Sequence, residues 1–179
     1  MEYQEVLGML SRYLVLLVLP LSGLFLFYSV FTPLTVYPVF WVLKLWYANA
    51  IVLGTNTIFF KGYYAEIIPA CIAGAAYYLL IILNLSTPMP SLTRVKSLVF
   101  LCSAFLVLNI ARILAFARLF EIGFNYFDLT HQLTWYFGST LLVVGIWFAN
   151  VFMFNITAVP IYSDIKSILA DVRPGAKAK

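Results

Sequence analysis

Apolar residues run along this chain in long blocks that charge rarely interrupts. No Asp, Glu, Lys or Arg occurs over 13–43, 67–93, 97–111 or 129–163. A helix crosses hydrocarbon with about 20 apolar residues at 1.5 Å each. The pattern therefore predicts one anchor helix at 12–31 and three further spans at about 69–87, 97–117 and 131–155. The apolar part of the first, Leu14 to Phe31, is long for a signal-peptide core and carries no small-residue cleavage site, so it reads as a retained anchor.

The segment 34–48, LTVYPVFWVLKLWYA, is ambiguous. As a span it would hold Lys44 near its middle, at a cost of about 2.5–3.5 kcal/mol. Its two tryptophans and its lysine suit the headgroup layer, which favours a helix lying on the membrane surface. The next stretch, Ala50 to Ile68, is β-branched and aromatic, with Gly54, Asn56 and Lys61-Gly62 as punctuation. It reads as a small β-hairpin outside the membrane, because lipid leaves an open sheet edge unsatisfied.

Composition agrees with the pattern. Of 179 residues, 64% are hydrophobic and 10% are charged, against about 25% charged in a soluble domain. Too few charges remain to coat a water-facing surface. A soluble enzyme, a disordered chain and a nucleic-acid-binding module are excluded as first readings. The net charge of +4 is dispersed between apolar runs rather than gathered in one patch, so no nucleic-acid partner is expected. Cys71 and Cys102 form no CxxC pair, so no metal site and no cofactor is expected.

The basic residues orient the chain. Arg94 and Lys96 share one short loop, and Lys166, Arg173, Lys177 and Lys179 lie in the tail. Positive loops stay in the cytoplasm. Both termini are then cytoplasmic, with 34–68 on the outer side and 156–179 as a cytoplasmic tail ending in a disordered PGAKAK. The expected fold is an all-α integral membrane protein, one domain over 1–179. It comprises four or five transmembrane helices, an outer interfacial helix and a small hairpin, with 69–155 as a three-helix core.

Against this apolar background a few polar residues stand out. Cys71 follows Pro69-Ala70. Proline favours the first position of a helix, so the thiol falls in a first turn, where free N–H groups favour a thiolate. The alternative is a buried apolar cysteine. Cys102, deep in the next span, reads as packing. Arg112 lies 16 residues after Lys96, about 24 Å along the helix. An intramembrane arginine usually turns into the bundle, the alternative being snorkelling to the headgroups. Asn109 shares its face one turn earlier. Arg118, further out, reads only as an anchor. His131, the single histidine, begins the last span, where Asp128 could orient it; the alternative is a polar cap. Glu66 is a further supporting candidate. A thiol, a proton-transfer group and a cation near the outer ends of three spans are the parts of acyl transfer.

The order and spacing of these residues resemble the exosortase and archaeosortase family of membrane transpeptidases. The matching pieces are Ala70-Cys71-Ile72-Ala73-Gly74, then Asn109-Ile110-Ala111-Arg112, then His131 with Gly138 following. The resemblance covers roughly residues 45–150. Two features depart from it: Ile72 stands where members often have Ser, and four or five spans replace the eight of many bacterial members, as in a minimal archaeal form. The resemblance implies a membrane cysteine protease or transpeptidase that sorts secreted proteins bearing a C-terminal signal of short motif, transmembrane helix and basic cluster. It implies cleavage near the motif and transfer of the new carboxyl end to an acceptor, with a membrane lipid as one candidate. Cys71 would be the nucleophile, Arg112 the stabiliser of negative charge, and His131 the proton-transfer group.

Other functions fit the same composition. A substrate-binding subunit of a small-molecule importer, of the vitamin-uptake kind, has this length, needs no nucleophile and typically has six spans. A membrane cysteine protease that only hydrolyses differs from a transpeptidase in which acceptor reaches the thioester. A purely structural membrane protein is the remaining alternative.

Overall fold

In the computed structural model the described residues are 3–166. The basic residues Arg173, Lys177 and Lys179 and the PGAKAK tail lie outside them. Helix α1 (Tyr3–Val18) runs into a 3₁₀ turn at Leu19–Ser22 that contains Pro20, and Gly23 and Leu24 follow in left-handed conformation. Helix α2 (Phe25–Trp46) then continues without interruption through Pro33 and Pro38.

Two expectations are corrected here. The anchor expected at 12–31 is split at 19–24. The segment 34–48 is no separate interfacial helix, because residues 34–46 are the second half of α2. The insertion argument placed Lys44 at the centre of a short span. It lies instead in the last turn of a longer helix, where a cation suits the carbonyl end, and its ammonium stands 5.4 Å from the Phe40 ring centroid. Each internal proline removes a backbone hydrogen bond. The buried side chains of Phe27, Val36, Val39 and Leu43 hold the helix together by packing instead.

Residues 51–66 form a three-stranded antiparallel meander, β1 (Ile51–Leu53), β2 (Thr57–Phe60) and β3 (Tyr63–Glu66), rather than the expected hairpin of two strands. The β2–β3 turn is Lys61-Gly62, both at positive φ (49° and 89°), the mirror-image turn that matches strand twist. Ile58 and Phe60 point inward and join Val36, Val39, Leu43 and Ile72 in one core.

Below the sheet, the one-turn helix α3 (Pro69–Ile72) leads into α4 (Gly74–Leu85). The 31-residue α5 (Ser91–Glu121) follows, about 46 Å long. The last helical segment is α6 (Phe127–Leu133), a π turn at Thr134–Gly138, and α7 (Ser139–Met153). A second core gathers Phe27, Tyr77, Leu80, Leu101, Phe105 and Val143.

Side-chain contacts fix which ends lie together. At the end away from the sheet, Arg12 donates to the carbonyls of Leu85 and Thr87 and pairs with Asp164 at 3.3 Å. Arg94 donates to the carbonyls of Asn84, Thr87 and Met89 and so caps the free C-terminal end of α4. Further along, Tyr78 donates to the Leu16 carbonyl, the Phe31 ring stacks on Tyr77 at 3.6 Å, and Tyr47 reaches Glu121. Helices α1 and α2 therefore ascend the bundle once between them, as a broken helix. A buried triad ties α4, α5 and α7: Asn84 donates to Ser97 (2.7 Å), and Ser97 donates to Asn150 (2.8 Å).

Among the described residues three helical segments, Phe25–Trp46, Ser91–Glu121 and Phe127–Met153, are long and apolar enough to cross a membrane; Leu7–Leu21 and Pro69–Leu85 are apolar but shorter. Large apolar side chains such as Leu21, Leu45 and Phe152 face outward. A mostly helical chain with an apolar exterior of this extent is compatible with an all-α membrane protein.

Candidate active site

The Cys71 environment begins with a break in the backbone. Pro69 opens the turn as expected, but the helix stops after Ile72, because Ala73 adopts φ 59°, ψ 46°, and restarts at Gly74. Cys71 therefore sits in a single turn, not in the first turn of a long span. The dipole of a long helix does not act on it. Gly74 is needed because Tyr28 packs against it: an added Cβ would lie 2.9 Å from the ring.

The break frees the Cys71 carbonyl, which a continuous helix would have bonded four residues onward. Two side chains of α5 take it up. Asn109, fully buried, donates to it at 2.8 Å, and Arg112 donates at 3.4 Å. The Asn109 carbonyl oxygen is left buried with no partner. A second N–H of Arg112 bonds the Ser139 hydroxyl at 2.8 Å. Arg112 is thus turned into the bundle rather than toward the surface.

The π turn explains how α6 and α7 contribute together. His131 and Ser139 are eight residues apart, about 80° off a shared face in an unbroken α-helix. One extra residue absorbed by a π turn reduces the offset to about 20°. Gly138 permits the turn, since a Cβ there would lie 2.9 Å from the Thr134 methyl group.

These elements enclose a cavity of about 470 Å³ at the sheet end, whose lining includes Cys71, Arg112, His131 and Glu66. The rest of the wall is largely aromatic, with Phe116, Phe120, Phe127 and Trp135 prominent. His131 is held by aromatic rings: it stacks on Phe127 at 5.6 Å and meets Phe116 edge-on at 5.0 Å. Asp128 does not orient it; that carboxylate is exposed, lies off the cavity and makes no hydrogen bond to the imidazole. Among the described residues no hydrogen bond joins the thiol to the imidazole, and no three His, Cys, Asp or Glu side chains cluster as a metal would need.

Compared with family models, with curated protein sequences and with solved structures, the chain matches none of them.

The sequence candidates thus divide by position. Cys71, Arg112, His131 and Glu66 share the cavity, Asn109 supports Cys71 from behind, and Asp128 stands apart. Cys102 packs at the edge of the second core. Arg118 is more than an anchor: it bonds Tyr47 and Glu121, while Lys61 of the β2–β3 turn pairs with the same carboxylate. That shared carboxylate raises the Lys61 ammonium above its ordinary pKa, first through the hydrogen bond and then through charge. Ser139 and the carbonyl of Cys71 were not legible as site groups. Serine in an apolar helix is common, and the carbonyl becomes free only through the break at Ala73.

Proposed function

We propose that this chain is a membrane cysteine protease and transpeptidase of the exosortase/archaeosortase kind, working at the extracytoplasmic face of the cell membrane. It cleaves the C-terminal sorting signal of secreted proteins and passes the new carboxyl end to an acceptor, a membrane lipid being one candidate. The observation that carries this reading is the shared cavity: Cys71, Arg112 and His131 come from three separate segments and line one space at the sheet end. Arg94, Lys96 and Lys166 at the opposite end support a cytoplasmic location for it by the positive-inside rule. Four passes result, with α1–α2 as one broken pass and α3–α4, α5 and α6–α7 as the others.

In this reading His131 takes the proton from Cys71, and the thiolate attacks a backbone carbonyl of the helix-tethered substrate. The C–N bond breaks as His131 returns the proton to the leaving amine, and the thioester stays on Cys71. An acceptor amine or water then gives its proton to His131 and bonds to the thioester carbon; the C–S bond breaks, and the Cys71 sulfur takes the proton back from His131. Arg112 has five N–H donors. Two are engaged by Ser139 and the Cys71 carbonyl, leaving others for the tetrahedral oxyanion. Losing one such partner costs about 10²–10³ in rate.

The test is to co-express each variant with a secreted substrate bearing a C-terminal motif, helix and basic cluster, and to follow processing on a gel. Cys71→Ala abolishes processing, whereas Cys102→Ala behaves as wild type. Arg112→Lys, which keeps the charge and loses the fork of donors, is badly impaired. Full processing by Cys71→Ala overturns the enzyme reading.

A further inference from the structure

The cavity has one wall made of backbone. Strand β3 pairs with β2 on one side only, and its other edge is the end of the sheet. The register identifies which groups are free. Phe60 and Tyr63 close a two-residue turn and so form a mutually bonded pair, and the Ile67 N–H donates to the Asn56 carbonyl at 2.8 Å. Tyr63, Ala65 and Ile67 therefore direct their N–H and C=O groups toward β2. The alternate residues Tyr64 and Glu66 direct theirs away from it, as does the Ile68 N–H. None of these outward groups has a hydrogen-bond partner among the described residues.

This unpaired edge runs along the cavity. All residues from Tyr63 to Ile68 line the cavity, and Cys71 lies three residues further along the same chain. The opposing wall is aromatic, from Phe116 and Phe120 of α5 to Phe127 and Trp135. From Tyr64 to Ile68 the edge is about 13 Å long at 3.3 Å per residue. It offers alternating donors and acceptors on one side and apolar rings on the other. That combination fits an extended peptide and fits a compact small molecule poorly.

We propose that the free edge of β3 is a peptide-docking strand: an extended segment adds to it as a fourth strand, which carries a backbone carbonyl toward Cys71. Main-chain hydrogen bonds to Tyr64 and Glu66 supply the affinity, and the aromatic wall takes the alternate apolar side chains. The direction of the peptide rests on the proposed function. A substrate entering the membrane by its C-terminal helix descends from the Lys61-Gly62 turn toward Cys71, parallel to β3. The free edge itself does not depend on that reading.

The experiment uses the full chain in nanodiscs with Cys71→Ser to prevent turnover. The probe is a synthetic peptide: acetyl-Thr-Val-Thr-Val-Gly, then roughly 20 alternating Leu and Ala residues, then a Lys-rich end. Hydrogen exchange at the Tyr64 and Glu66 amides is measured with and without it. The peptide slows both amides by about tenfold or more, and the same peptide N-methylated at its valine nitrogens does not. Glu66→Pro removes one outward N–H without touching the β2 ladder, which edge strands tolerate. It loses the protection at Tyr64, and Glu66→Ala keeps it. Equal protection by the N-methylated peptide, or none by either, overturns the proposal. Protection together with no processing by the wild-type thiol retains the docking edge and removes the transpeptidase reading. Processing without protection does the reverse.

Discussion

Asn109→Leu separates positioning from stability. Asn109 is fully buried with one satisfied and one unsatisfied polar atom: its amide N–H₂ donates to the Cys71 carbonyl at 2.8 Å, and its own carbonyl has no partner. Leucine is close in volume and removes both atoms. Losing the bond to a buried acceptor costs about 1–3 kcal/mol, and removing a buried unsatisfied oxygen returns a similar amount. The Cys71 carbonyl also retains the longer bond from Arg112. Net stability therefore changes by about 1 kcal/mol or less, well inside the usual range for a core substitution. Function does not share this cancellation, because the bond that fixes the Cys71 turn is gone. Thermal unfolding in detergent reads the first quantity, and the rate of Cys71 alkylation together with substrate processing reads the second. Unchanged melting with a processing rate lowered by about tenfold or more is the expected pair of results. A large loss of stability, or unchanged processing, refutes the assignment of Asn109 as a positioning residue.

Gly74→Ala drives a Cβ to 2.9 Å from the Tyr28 ring and destabilises by about 1–3 kcal/mol; Tyr28→Leu in the same chain restores melting, whereas Tyr28→Phe, which keeps the ring, does not. Ser139→Ala leaves an Arg112 N–H without its acceptor and lowers processing, and Ser139→Thr, which keeps the hydroxyl, recovers it in the same gel assay. The Lys61–Glu121 pair holds the Lys61 ammonium above its ordinary pKa, so its contribution is complete below the ordinary lysine range and is lost as pH rises through the raised value. The melting difference between wild type and Lys61→Gln, small for an exposed pair, stays constant from about pH 6 to 9 and vanishes only in stronger alkali.

What could be read from the sequence follows from what stands out in an apolar chain. Arg112 and His131 were visible as polar residues where lipid makes them costly, and Pro69 marked the start of the Cys71 turn correctly. The elements that escaped depend on tertiary contacts. Pro33 and Pro38 stop helices in water, yet α2 passes through both because its apolar side chains pack on the sheet and on α5. Ala73 gives no sign of a break, since alanine is the strongest helix former; its left-handed conformation goes together with tertiary contacts on either side, Tyr28 packed on Gly74 and Asn109 bonded to the Cys71 carbonyl. The π turn is equally silent, although Gly138 permits it. The third strand was missed because β1 is only three residues long. Asp164 was lost in an expected tail, whereas it is buried against Arg12 and Tyr13.

The Asn84–Ser97–Asn150 triad has a consequence for distance rather than for chemistry. Its hydrogen bonds, 2.7 and 2.8 Å long, fix the axial heights of α4, α5 and α7 against one another. Apolar contacts alone would let these helices slide, since one leucine face fits another at several offsets. From Ser97 to Arg112 is about 22 Å along α5. The levels at which Cys71, Arg112 and His131 line the cavity are therefore set far from it. A shift of one residue in one helix would move its group by about 1.5 Å along the axis and turn it by about 100°. Shortening α4, α5 and α7 by equal amounts between the triad and the cavity would leave their groups level with one another. Inserting a single residue between Ser97 and Arg112 would raise the guanidinium by about 1.5 Å and turn it by about 100° away from its place at the cavity.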